Sequence, residues 1–261
     1  MTLSDSNARH EAYEIFNGAG RGGALILCEH ASHHIPDRYG DLGLAEADRQ
    51  SHAAWDPGAR AVARALSEAL DSPMIASRVS RLVYDCNRPP EAASAMPEKS
   101  ELIEVPGNTG LTQAARAERV ATVYQPFVTA VSEMIETRKA AGLETALITI
   151  HSFTPVYYGT PRAVEIGILH DSDSRLADAM LARAGDLPQR LVERNEPYGP
   201  QDGVTHSLQL HGLDHGLANV MIELRNDLLC SPAQETQMTE ELLTLLRPAL
   251  SALQSEGDSG A

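Results

Sequence analysis

The stretch "ALILCEHASHHIPD", residues 24–37, opens with four apolar residues and a cysteine, then turns polar, with Glu29, His30, His33 and His34 in close succession. A short, unbroken apolar run bounded by polar residues reads as a strand covered on both faces, as in a parallel sheet packed between helices. Runs of the same kind recur at "PMIAS" (73–77), "RLVYD" (81–85), "TALITI" (145–150), "AVEIGILH" (163–170) and "NVMIEL" (219–224). Amphipathic stretches alternate with them. Residues 58–70 place Val62, Ala63, Leu66, Ala69 and Leu70 on one helical face. Residues 113–141 do the same with Val120, Tyr124, Phe127, Val131 and Ile135, with a kink expected at Pro126. Residues 173–185 and 232–254 complete the helical set. Strands alternating with helices predict a three-layer α/β/α fold around a mostly parallel, mixed, twisted sheet. The expected organisation is a single catalytic domain over residues 1–261, with a core over about 20–254 and frayed polar termini. Residues 86–112, rich in Pro, Glu and Gly, read as a long functional loop.

The chain carries 21 basic against 36 acidic residues, a net charge of −15. That balance argues against binding nucleic acid or an anionic membrane surface, and leaves room for a small anionic substrate held by a few local arginines. Aromatics are only 4% of the chain, so Leu, Val, Ile and Ala must fill the core. Cys28, Cys86 and Cys230 are odd in number and widely spaced, which predicts buried free thiols in a reducing compartment rather than a disulfide framework. The first residues, "MTLSDSNARHEAYEIFNG", lack the basic and apolar regions of a secretory signal, and no apolar run approaches the ~20 residues of a membrane span. A soluble, cytoplasmic protein is expected.

In open α/β sheets the ligand sits beyond the carboxyl ends of the strands. Here four strand ends carry reactive side chains: Glu29 and His30; Asp85, Asn87 and Arg88; His151; Glu223 and Arg225. Two histidines on separate strands plus a carboxylate suit a catalytic zinc site, which uses three protein ligands and keeps the fourth position open. A second carboxylate would then take a proton from water. There is no HExxH helix, and Ser152 lies outside any GxSxG turn, so neither a thermolysin-like site nor a serine nucleophile is expected.

Two of these segments, "ITIHSFTP" and "VMIELRND", resemble the last zinc histidine and the general-base glutamate segments of zinc carboxypeptidases. "DCNR" is similar to the element by which aspartoacylase-like members of that superfamily hold a substrate carboxylate. A closer resemblance is to the N-formylglutamate amidohydrolase family. It rests on a strand followed by "HAS", then "WDPGA", "SRLVYDCNRPP", "HS", "NEPY" and "IELRND", in the family's order over residues 24–229. The resemblance implies a zinc-exopeptidase type of fold and zinc-dependent hydrolysis of a small N-acyl amino acid, in the named activity N-formylglutamate to formate and glutamate. Rival expectations are a zinc carboxypeptidase or amidase acting on a peptide or cell-wall fragment, and a non-catalytic carboxylate-binding protein. The oligomeric state cannot be read from the sequence.

With the resemblance in view, His30 and His151 are the expected zinc ligands and Asp56 the third, with Glu29 and His33 as alternatives. Asp56 could equally cap a helix, because Pro57 suits the first helical position. Glu223, inside an apolar strand, is expected as the general base; its structural alternative is a salt bridge to Arg81, Arg88 or Arg225. Arg81 would stabilise the oxyanion, and Asn87 with Arg88 would clamp the substrate carboxylate. His211 is a candidate substrate contact and Tyr198 a candidate loop residue closing over the substrate. His206 and His215 read as surface residues, since Gly212 and Gly216 weaken any helix through this stretch.

Overall fold

The computed structural model describes residues 7–258. Eight strands form one sheet: β1 (Asn7–Arg9), β2 (Tyr13–Phe16), β3 (Ala24–Cys28), β4 (Met74–Ser77), β5 (Ala146–Phe153), β6 (Ile166–Leu169), β7 (Val192–Arg194) and β8 (Asn219–Arg225). Their order across the sheet is β1-β2-β4-β3-β5-β8-β6-β7. The pairs β4–β3, β3–β5, β5–β8 and β6–β7 are parallel, while β1–β2, β2–β4 and β8–β6 are antiparallel. The expected mixed, mostly parallel sheet is therefore present.

Strand β3 shows why its sequence is apolar at every position. Ala24, Ile26 and Cys28 point into one core and Leu25 and Leu27 into another, on the opposite face. The first core is closed by α1 (Ala59–Ala69), α3 (Arg175–Leu181) and α4 (Pro232–Asp258), through side chains such as Leu66, Leu176 and Leu242. The second is closed by α2 (Gln125–Ala140), with Phe127, Val131 and Met134, and by the long segment that carries Leu82, Tyr84 and Met96. This is the three-layer arrangement.

Several local expectations change. "RLVYD" is not a strand: residues 81–83 form a turn. Its apolar side chains are buried in the second core, but β4 already has β2 on one edge and β3 on the other, so no edge remains for it to join. The expected kink at Pro126 is a wide helical turn over Val120–Tyr124, just before α2. Proline lacks the N–H that would continue the regular ladder there. The first twenty residues are not all frayed. Tyr13–Phe16 pairs with β4 and buries Ile15, which covers what would otherwise be an open edge of the parallel core. The carboxyl-terminal helix likewise continues past residue 254, with Leu250 and Leu253 packed on the core. The expected fraying of residues 1–6 and 259–261 lies outside the described residues. Cys28 and Cys86 are buried thiols as expected, but Cys230 is exposed, because it lies in the turn that leads into α4. Among the described residues no helix is long and apolar enough to cross a membrane.

Candidate active site

Strands β3, β5 and β8 run parallel and side by side, so residues at their carboxyl ends meet at one sheet edge. His30 lies two residues beyond β3. His151 lies inside β5, which runs on to Phe153, and is in register with Glu223 of β8. The segment before α1 is stitched between these elements. Asp56 N–H donates to the His30 carbonyl at 2.9 Å, and Arg81 N–H donates to the Ala54 carbonyl at 3.2 Å. Asp56 is not the helix cap. That position falls to Gly58, whose φ of 81° swings the chain into α1, and a Cβ there would sit 2.4 Å from the Leu229 side chain. The Asp56 side chain is thereby left to face the histidines.

Three buried atoms converge: His30 Nδ1 and Asp56 Oδ2 are 3.2 Å apart, His151 Nδ1 and Asp56 Oδ2 3.0 Å, and the two Nδ1 atoms 3.1 Å. Ligand atoms about 2.0–2.1 Å from a tetrahedral zinc would be separated by about 3.3 Å. The outer nitrogens face carboxylates. His30 Nε2 hydrogen-bonds Asp85 Oδ1 at 2.7 Å, and with Nε2–H donating, its Nδ1 turns a lone pair inward, towards the Asp56 oxygen. His151 Nε2 lies 3.2 Å from Glu29 Oε2, within ion-pair distance but without a hydrogen bond. Three electron-rich atoms at this spacing fit a divalent cation. The electrostatics agree. Burial works against a charged His151, but Glu29 and Asp56 overcome it and hold the imidazole pKa well above its usual value. Burial likewise works against the charge on Asp56, yet His30, His151 and Arg81 hold that carboxyl far below the usual carboxylate range. The site favours positive charge at its centre.

Glu223 behaves in the opposite way. It is buried, its Oε2 has no hydrogen-bond partner, and burial, reinforced by the charge on Asp56, pushes its pKa up to about 7. One carboxylate of the pair is thus locked as an anion and the other is poised to exchange a proton near neutrality. The alternative, a salt bridge from Glu223 to an arginine, does not form among the described residues; Arg81 instead reaches Asp56 at 3.1 Å and Asp85 at 3.6 Å.

These groups open into a cavity of about 480 Å³, lined also by Arg88, Tyr157, Arg162 and Tyr198. Tyr198 reaches it because the 195–198 loop crosses directly over β6, where a Cβ on Gly167 would lie 1.9 Å from the Glu196 carbonyl oxygen. Burial pushes the Tyr198 phenol up to about 12, with Glu223 adding to the shift.

Two expectations need correction, and a third gains a second role. Asn87 lines the cavity and also holds the opposite loop: one Nδ2 hydrogen donates to the Val204 carbonyl at 2.6 Å and Oδ1 accepts from Ser207 N–H at 2.9 Å. It thus ties the 204–207 loop to the turn that carries Asp85, with its second amide N–H left over. His211 does not line the cavity. It is buried in a wide helical turn, Leu208–Gly212, that packs on β5 and β8. His206 is not a plain surface residue, since its ring bonds the Tyr124 hydroxyl at 2.8 Å. Of the alternative third ligands, Glu29 sits on the far nitrogen of His151, and His33 turns away to meet the Trp55 ring at 5.1 Å.

The sequence reading missed Arg162 and Tyr157, and gave Asp85 no role. Asp85 was findable: an acid four residues after Arg81 at a strand-end turn is a natural partner for a neighbouring histidine. Nothing local in "GTPRAV" marks Arg162.

Comparison with known proteins bears on the fold and the family. No curated protein matches the sequence. The crystal structure of gene product Atu2144 from Agrobacterium tumefaciens superposes with a TM-score of 0.92 at 54% identity, over 94% of this chain and 97% of that one. An N-formylglutamate amidohydrolase from Ralstonia eutropha JMP134 superposes with a TM-score of 0.62 at 17% identity, over 94% and 100%, and shows the shared fold alone. The family model for N-formylglutamate amidohydrolase matches residues 23–230, a span that contains His30, Asp56, His151 and Glu223. With that match over most of its length, the chain belongs to the N-formylglutamate amidohydrolase family.

Proposed function

We propose that the protein is a zinc-dependent amidohydrolase that cleaves a small N-acyl amino acid of the N-formylglutamate type, giving formate and glutamate from N-formylglutamate and water. The observation that carries this reading is the triangle of His30 Nδ1, Asp56 Oδ2 and His151 Nδ1, with the outer nitrogen of His30 hydrogen-bonded to Asp85 and that of His151 facing Glu29 at 3.2 Å. A zinc ion held there would polarise the scissile carbonyl and acidify water. Glu223, whose carboxyl burial holds above its ordinary pKa, accepts the proton released from water and returns it to the departing amine. Arg81, its guanidinium aligned by Asp56 and Asp85, directs a remaining N–H at the oxygen that becomes negative in the tetrahedral state. The Arg88 side chain, which among the described residues donates only to the Asn87 carbonyl, keeps donors free for a substrate carboxylate. Tyr198 covers the bound substrate from the loop above.

The test is to purify the protein, measure its metal by mass spectrometry and follow formate release from N-formylglutamate. One zinc per chain is expected, lost in His151→Ala. Glu223→Gln should keep the metal and lose about 10³-fold in kcat, within the range of an acid–base residue. Full hydrolysis after chelation, or in Glu223→Gln, would overturn the proposal.

A further inference from the structure

Arg162 enters the cavity from the outer wall, one residue past the two-stranded hairpin Val156–Tyr157 and Thr160–Pro161. Its Nη1 is buried and meets no hydrogen-bond acceptor. Among the described residues no carboxylate comes within ion-pair distance of its guanidinium, in a chain with 36 acidic residues. Arg162 is half-buried and Glu101 acts on it only from beyond ion-pair distance, so a buried guanidinium nitrogen without an acceptor is costly and its unoccupied partner position is informative.

The neighbours of Arg162 explain how it is held. Its guanidinium carbon lies 4.3 Å from the Tyr157 ring centre, 4.7 Å from Tyr198 and 5.6 Å from Phe153. Aromatic faces attract the cation through its flat side, Tyr198 also meets it through its hydroxyl, and the buried Nη1 on its edge is left to meet an anion. The hairpin is fastened from outside: Tyr158 N–H donates to Glu101 Oε1 at 3.0 Å and the Tyr158 hydroxyl to the Glu101 carbonyl at 3.2 Å. Glu101 is itself held by His52 at 2.8 Å. Arg81, by contrast, is already neutralised by Asp56 and Asp85. The cavity therefore presents two arginines with unused donors, Arg88 and Arg162.

We infer that Arg162 is the specificity-determining residue for a second substrate carboxylate, so that the site selects N-acyl derivatives of dicarboxylic amino acids over those with neutral side chains. Arg88 takes one carboxylate and Arg162 the other, and the aromatic bracket sets the span between them. This assignment rests on the proposed amidohydrolase reading for its substrate class, but not for its binding chemistry.

The experiment therefore has two arms on the purified holoenzyme. Calorimetry compares glutarate with its monoamide, which differ by one carboxylate. The native protein should prefer glutarate by about 100-fold, the scale of a buried charge pair, and R162M should abolish that preference. R162K, which keeps the charge without the fork, should recover part of it. In the kinetic arm, R162M should lose far more kcat/KM on N-formylglutamate than on N-formylglutamine. Retained glutarate preference in a folded R162M protein, or no preference in the native protein, overturns the inference whatever the catalytic outcome. An Arg162-dependent glutarate preference with no hydrolysis of any N-acyl amino acid leaves the inference standing and removes the proposed reaction instead.

Discussion

The floor of the cavity and its outer wall use different materials. His30, Asp56 and His151 are 3%, 2% and 2% exposed, carried on or beside central strands, and each is bound at more than one atom. Tyr157, Arg162 and Tyr198 are only half-buried, stand on a short hairpin and a loop, and are held mainly by ring faces. The proposed metal centre would tolerate little error in ligand position, so its ligands would gain from rigid strands and from carboxylates behind them. Substrate selection can be placed on loops, which change between relatives without disturbing the sheet. The two regions should therefore fail differently.

The largest effect is expected behind the floor. Burial lowers the pKa of His211 to about 4, with Glu29 opposing and His206 and His215 adding to the fall, whereas an unfolded histidine titrates near 6.5. Between those values the unfolded chain binds more protons than the folded one, so stability is full above about pH 6.5 and declines as pH falls towards 4. The loss from this residue is on the order of 3 kcal/mol. Denaturant unfolding at pH 7.5 and pH 4.5 should show this decline in the native protein and a shallower one in His211→Gln. Parallel declines would mean that other groups dominate acid sensitivity.

Next is the support of the proposed metal ligands. Asp85→Asn keeps the shape at His30 Nε2 but removes the charge 2.7 Å away. Zinc affinity measured by competition with a chelator should weaken about 10- to 100-fold. An unchanged affinity would show that the strands alone hold the imidazole.

The smallest effect belongs to the wall. Glu101→Ala removes the carboxylate that accepts from Tyr158 N–H and meets His52, while the backbone carbonyl still accepts the Tyr158 hydroxyl. Loss of a solvent-accessible tether should raise KM for N-formylglutamate by about two- to fivefold with little change in kcat. A fall in kcat of the size expected for Glu223→Gln would contradict the division between floor and wall.

The alternation of apolar runs and amphipathic stretches was enough to specify an α/β/α sandwich, because strands buried on both faces leave a continuous apolar signal in the chain. The reactive residues His30, His151 and Glu223 were recognisable for a related reason: each interrupts or directly follows such a run, where a polar group needs a purpose. Periodicity says nothing about which strand lies beside which. Only the packed sheet excluded "RLVYD" as a strand, because both edges of β4 are occupied, and recruited Tyr13–Phe16 as one. Only the packed sheet separated Asp56, which meets both imidazoles, from Glu29, which backs His151, and His33, which faces Trp55. Arg162 had no signature at all. Its importance comes from an absent carboxylate and three aromatic rings drawn from residues 153, 157 and 198, and such a surrounding exists only once the chain has folded.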